Sequence, residues 1–134
     1  MGSKSGGRTR ERAGSLGGGE PIGSHQAIQH PLAESHANLE TARTMTTRAA
    51  RAYDEGYDNV GELSNIAHFK AGEAGFEAAD NALETFGGAS ATEDYGIAAI
   101  WSYARHQRIA PITDQMKLNY IANNVLELPR SYGI

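Results

Sequence analysis

A chain of 134 residues, 40 % hydrophobic and 7 % aromatic, has room for one small core and not for two. It contains no cysteine, which excludes disulfides and thiolate metal sites. Its net charge of −4 is uneven: Lys4, Arg8, Arg10 and Arg12 against Glu11 give residues 1–19 a balance of +3, and the remainder carries −7. An acidic body of that kind does not suit the phosphate backbone of a nucleic acid.

Residues 1–19 hold seven glycines and almost nothing apolar, so they cannot offset their chain entropy and are expected to be disordered. The basic head is expected to be a solvated end rather than a docking element. Order is expected from Glu20 onward, with residues 20–134 forming one domain. No apolar run approaches the roughly 20 residues that span a bilayer, and no signal-peptide core follows Met1. A cytoplasmic location without membrane contact is the expectation.

The first helix is expected over residues 24–55. Ile28, Leu32, Ser35, Leu39, Ala42, Thr46, Ala49 and Tyr53 recur in steps of three and four, which marks one face. Ser24 can cap its start, and Gly56 can stop it in a left-handed conformation. Pro31 should kink the helix or stand in its first turn. A second helix fits residues 62–85, with Leu63, Ile66, Ala67, Ala71, Ala74, Ala78 and Leu83 as its stripe, until Gly87-Gly88 breaks the chain. A third is expected over residues 92–108, capped by Thr92, with Glu93-Asp94 in its first turn and Tyr95, Ile97, Ala98, Ile100 and Trp101 as apolar members. The fourth, residues 113–126, follows the break at Ile109-Ala110-Pro111. It presents either Met116, Tyr120 and Val125 or Leu118, Ile121 and Ala122, and Pro129 ends it. Frequent alanine lets helix axes approach closely, and short joints imply an all-α, antiparallel four-helix bundle.

Three patches carry a family likeness. Pro21-Ile22-Gly23-Ser24-His25-Gln26-Ala27-Ile28-Gln29 is similar to the opening "PIG-x-x-Q-A-I-Q" of the last domain of acyl-CoA dehydrogenases. Leu83-Glu84-Thr85-Phe86-Gly87-Gly88 and then Asp94-Tyr95 resemble "LQ-x-x-GG-x-G-x-x-x-DY". Arg108-Ile109-Ala110-Pro111-Ile112-Thr113-Asp114-Gln115-Met116, with Ile121-Ala122, resembles "R-I-x-EGT-x-E/Q-I … IA". The order and spacing of all three, from Glu20 to Ile134, identify the chain as a member of that family. The resemblance implies FAD as cofactor and α,β-dehydrogenation of an acyl-CoA thioester, shared among this bundle, an N-terminal helical domain and a middle β-domain. It also implies a homo-oligomer, or a dehydrogenase subunit that supplies the missing domains; acyl-CoA would bind only in a complete enzyme.

Carried over residue by residue, the resemblance gives Gln26, Gly87, Gly88, Thr113 and Gln115 as flavin contacts. Gln26 matches a glutamine that holds the nucleotide across the dimer, and Gly87-Gly88 match a pair whose backbone approaches the phosphates. Thr113 and Gln115 follow the catalytic Glu-Gly position and can donate to pyrophosphate near a helix N-terminus. Pro111 occupies the catalytic glutamate position and has no titratable group, so no base acts from there. Where some branches place the base on an earlier helix, this chain has no counterpart.

Other departures are Glu84 for a phosphate-facing glutamine, Ser90 for the third glycine, and Ser15 and Gly18 for the arginine and phenylalanine before "G-x-PIG". The likeness fades near Gly19, which leads to the expectation of a displaced frame or a truncated gene behind the head. A catalytically inactive assembly module, or a gene remnant, is the alternative function. His25, His30, His36, His68 and His106 lack the spacing of three or four that would place ligand pairs on one helix face, so no metal is expected. An exposed apolar bundle face is expected on every reading.

Overall fold

The computed structural model describes residues 20–131. They form a short 3-10 turn, Ile22–Ser24, and four α-helices: α1 Gln26–Asp54, α2 Val60–Phe86, α3 Ile97–His106 and α4 Asp114–Asn124. A second 3-10 segment, Gly87–Ala91, follows α2. No strand occurs among the described residues, so the all-α class holds. The expected disorder of residues 1–19 lies outside the described residues.

The helix boundaries follow local chemistry. Ser24 does not cap α1; its hydroxyl donates to the Pro21 carbonyl at 2.7 Å and closes the preceding turn, which leaves His25 at the capping position. Pro31 therefore sits in the second turn rather than the first, and the helix continues through it. Gly56 ends α1 as expected: at φ +71° it lets the Tyr57 N–H reach the Ala52 carbonyl at 2.9 Å, while its own N–H reaches Tyr53 at 3.2 Å.

Thr92 is likewise not a helix cap. Residues 87–91 wind into the 3-10 segment, Thr92 closes it by donating to the Ala89 carbonyl at 2.8 Å, and α3 starts only after Gly96 at φ +65°. Glu93 and Asp94 thus stand exposed outside the helix instead of in its first turn. Thr113 does cap α4, its hydroxyl accepting from the Met116 N–H at 3.3 Å.

The other helices all pack on α2, each antiparallel to it. Along α1 the register is fixed by polar pairs: the Asn81 amide donates to the Ser35 hydroxyl at 2.8 Å and to the Pro31 carbonyl at 3.4 Å, and Asn38 donates to Glu77 at 3.0 Å. Toward the α1–α2 turn, Ala49, Ala52, Leu63 and Ala67 form an apolar cluster with Met45 and Val60 against it. Tyr53, expected on this face, is 75 % exposed, and its neighbour Ala52 takes the buried place.

The opposite side of α2 carries α3 and α4 end to end. Tyr95 meets Phe86 edge-on at 5.1 Å, and Trp101 lies 5.5 Å from Phe76 while donating to Asp80 at 2.8 Å. A second apolar cluster, Ala82, Phe86 and Ile97, fills that end. Further down α2, Asp114 stands beside Gly72, and the Tyr120 ring beside Gly61. Neither apolar set expected for α4 is buried: Met116, Leu118 and Tyr120 are exposed, and Asp114 and Lys117 occupy the inner face instead.

Gly61 is where crowding can be tested. A methyl group there would overlap the Tyr120 hydroxyl and fall 2.8 Å from its ring carbon Cζ. Gly61→Ala should therefore realise little of the roughly 1 kcal/mol that alanine gains over glycine in a helix, because the exposed Tyr120 ring must swing aside to admit the methyl group. In a Tyr120→Ala background the same change should realise that gain in full. Urea denaturation of the four proteins measures both effects, and equal effects in the two backgrounds would refute the contact.

Candidate functional site

Because α1 and α2 are antiparallel, the start of one and the end of the other meet. Gln26, the first residue of α1, is exposed at this end. Behind it, the Gln29 amide clasps the incoming turn by donating to the Gly23 carbonyl at 2.8 Å. On the α2 side, Gly87 adopts φ +56°, ψ −140°, a conformation open to glycine and strained for other residues. Gly88 follows, also exposed, and a Cβ added at either glycine meets nothing within 4 Å. A side chain at Gly88 would therefore obstruct only something that docks from outside. Ser90 is buried, and its hydroxyl donates to the Gly87 carbonyl at 2.7 Å, so this departure from the family glycine braces the turn. Glu84 is exposed one turn before the glycines.

Thr113 and Gln115 stand elsewhere. They flank Asp114 at the start of α4, level with Gly72, fifteen residues before Gly87 on α2. At the α-helical rise this is about 22 Å from the glycine pair. Thr113 is half-buried as the cap and Gln115 is exposed. The structure thus brings Gln26, Gly87 and Gly88 to one end and leaves Thr113 and Gln115 as a second, separate group. Pro111, exposed after a cis peptide bond, lies in the loop between α3 and α4.

That loop is held by a charge cluster that sequence reading missed. Arg108 Nε donates to Asp114 Oδ2 at 2.6 Å, Lys117 Nζ donates to Asp114 Oδ1 at 3.0 Å, and Lys117 also reaches the Gln107 carbonyl at 3.5 Å. The backbone closes the same loop through the Asp114 N–H and the Arg108 carbonyl at 3.0 Å. Lys117 is completely buried. An Asp–Lys pair three residues apart is visible in the sequence, but exposed helix pairs look the same there.

Burial alone would raise the Asp114 pKa; hydrogen bonds from Arg108 and Lys117 outweigh it and hold the carboxyl below its ordinary value. His68, half-buried on α2, is lowered by burial first and by the nearby Lys117 charge second, with Asp114 opposing.

The family assignment follows from comparison with known proteins. The acyl-CoA dehydrogenase C-terminal domain model matches residues 7–126, a span that takes in part of the glycine- and arginine-rich head. Acyl-CoA dehydrogenase FadE12 of Mycobacterium tuberculosis strain H37Rv is 47 % identical over 113 residues, covering 84 % of this chain and 29 % of the relative. Among solved structures, the FAD complex of PigA superposes with a TM-score of 0.85 at 24 % identity, over 91 % of this chain and 32 % of that one, a likeness of fold alone. The ChsE4–ChsE5 complex from Mycobacterium tuberculosis gives 0.82 at 26 % identity, over 94 % and 34 %. The chain belongs to the acyl-CoA dehydrogenase family and corresponds to its C-terminal helical domain. It spans less than a third of the length of FadE12.

The charge cluster makes two measurable demands. Asp114→Ala leaves the Lys117 ammonium buried with one long carbonyl contact and should cost about 3–5 kcal/mol in chemical denaturation. Lys117→Met should cost much less, since Arg108 still holds Asp114; equal costs would contradict the cluster. A histidine whose folded pKa is lowered takes up its proton more readily when unfolded. Stability should therefore fall as pH drops through about 6.5, the ordinary histidine value. His68→Gln should remove that decline while leaving the further loss near and below pH 3.8 that comes from Asp114.

Proposed function

We propose that this chain acts as the C-terminal helical domain of an FAD-dependent acyl-CoA dehydrogenase, in α,β-dehydrogenation of an acyl-CoA thioester. The observation that carries the reading is that Gln26 and Gly87-Gly88 lie exposed toward the same end of the α1–α2 hairpin, within a chain of this family. The glycine pair leaves bare backbone with open space around it, which fits close approach by cofactor phosphates. Gln26, exposed toward the same end, offers an amide to the nucleotide. Thr113 and Gln115 sit at the N-terminus of α4, where the helix dipole favours pyrophosphate. Bound flavin would supply hydride acceptance; the protein contributes placement and electrostatics.

The two groups are about 22 Å apart by helix rise and open to solvent, so neither forms a closed cradle by itself. The rest of the site, including the base that Pro111 cannot be, comes from other domains or subunits. Exposed Ile109, Ile112, Met116, Leu118, Leu126 and Leu128 provide apolar surface for such partners. The ChsE4–ChsE5 complex, an assembly of related fold, supports a homo- or hetero-oligomer. A cytoplasmic setting belongs to the same proposal and is supported by kinship. Among the described residues, no helix is long and apolar enough to cross a membrane.

Fluorescence anisotropy of FAD separates the outcomes. The chain alone should bind weakly, and addition of a polypeptide carrying the N-terminal and middle domains of a FadE12-like relative should bring binding into the micromolar range, about −8 kcal/mol. Gly88→Val, which meets no neighbour in this chain, should weaken the mixture at least tenfold without changing helicity. Failure of the mixture to bind FAD would sink the reading.

A further inference from the structure

The body of this chain is acidic, and most of its cations have partners. Lys70 pairs with Glu73, Arg108 and Lys117 share Asp114, and Arg105 lies over the Phe76 ring. Arg48 and Arg51 have no acidic partner among the described residues, and Arg43 has only a solvent-exposed one, Glu40. These three arginines line a single groove of about 640 Å³ beside the α1–α2 turn. Spacings of five and three residues put them on one side of α1, within an arc of about 140°.

We propose that this groove is an anion site for phosphoryl groups. A guanidinium presents a planar fork of donors that matches phosphate oxygens in pairs. Ala52 and Leu63 line part of the groove with buried apolar surface, which lowers the local dielectric and strengthens each contact. The Thr44 and Thr47 hydroxyls donate to the Glu40 and Arg43 carbonyls, so they offer the groove lone pairs, and the arginines must supply the hydrogen bonds. Glu55 in the groove wall and the C-terminal end of α1, worth about −0.5 charge, oppose an anion. With the Glu40 carboxylate on Arg43 counted as well, the three guanidiniums still leave about +0.5. A carboxylate fills one fork. A phosphoryl group carries up to about −2 and three strong acceptors, so it can bridge two.

The groove is independent of the flavin reading. Arg48 lies 22 residues along α1 from Gln26, about 33 Å at the helical rise, so failure of one proposal leaves the other intact. The phosphoryl group could come from a soluble phosphorylated metabolite or from a lipid headgroup, and two assays distinguish them. The first is calorimetric titration of the full chain with pyrophosphate, with acetate as the carboxylate control. The second is co-sedimentation with phosphatidylcholine vesicles, with and without phosphatidic acid.

Saturable binding in either assay, reduced tenfold or more by the double variant Arg48→Gln/Arg51→Gln with unchanged helical circular dichroism, supports the site. Pyrophosphate binding assigns a soluble source, and retention by phosphatidic-acid vesicles alone assigns a lipid. Absence of binding in both assays overturns the proposal, as does binding unchanged in the double variant or acetate binding as tightly as pyrophosphate. Loss of pyrophosphate binding in Gly88→Val would place the ligand at the other end of α1 and overturn it too.

Discussion

Helix α2 is packed on two opposite sides, and the small size of most of its buried side chains makes this possible. Leu63, Ala67 and Ala74 fall on one side of it, and Gly72, Ala79 and Phe86 fall about half a turn away. A large side chain on either side would push a neighbouring helix outward and open the gap that α1, α3 and α4 close. Cores so poor in bulk bury little area per residue, and precise approach of the backbones makes up part of the difference through dispersion contacts.

Where alanine packing offers little selectivity, polar groups set the register. The Asn81–Ser35 and Asn38–Glu77 pairs occur once along α1 and α2, so sliding by one turn would break both. Fixing that register brings Gln26 level with the end of α2. The glycine pair then presents its backbone at the same end as Gln26 instead of somewhere further along the hairpin. The start of α4 is fixed differently, through the charges of Arg108, Asp114 and Lys117 around a loop whose apolar residues face outward.

The sequence showed the four helices because glycine and proline punctuate it and because α1 and the first half of α2 have contrast between apolar and polar positions. It showed the Gly56 and Thr113 boundaries because each has a single local cause. The second buried side of α2 was not legible, since Gly72 and Ala79 stand in a run of alanines where no periodicity shows. Thr92 misled because a hydroxyl followed by acidic residues describes a helix start, whereas the Gly87 conformation had already committed it to a 3-10 turn. For the site, motif matching found the candidate residues but could not tell that they fall into two groups. That separation arises from α3 and α4 lying in line along α2, a property of the tertiary arrangement. The burial of Lys117 was equally hidden, because burial of a charge depends on neighbours distant in sequence.

Helix α4 contributes to neither apolar cluster among the described residues. Its attachment is electrostatic at one end, through the buried Asp114–Lys117 pair, and rests at the other on the Tyr120 ring against Gly61, which lies near solvent. Such a segment can detach as its own cooperative unit while the α1–α2 hairpin and α3 stay folded. Amide protons of α4 would then exchange through local opening, whereas those in the middle of α2 would wait for global unfolding. The chain is in this sense a stable three-helix body with a hinged fourth member. An enclosing partner would gain most by clamping that last helix down, and would spend part of its association energy in doing so.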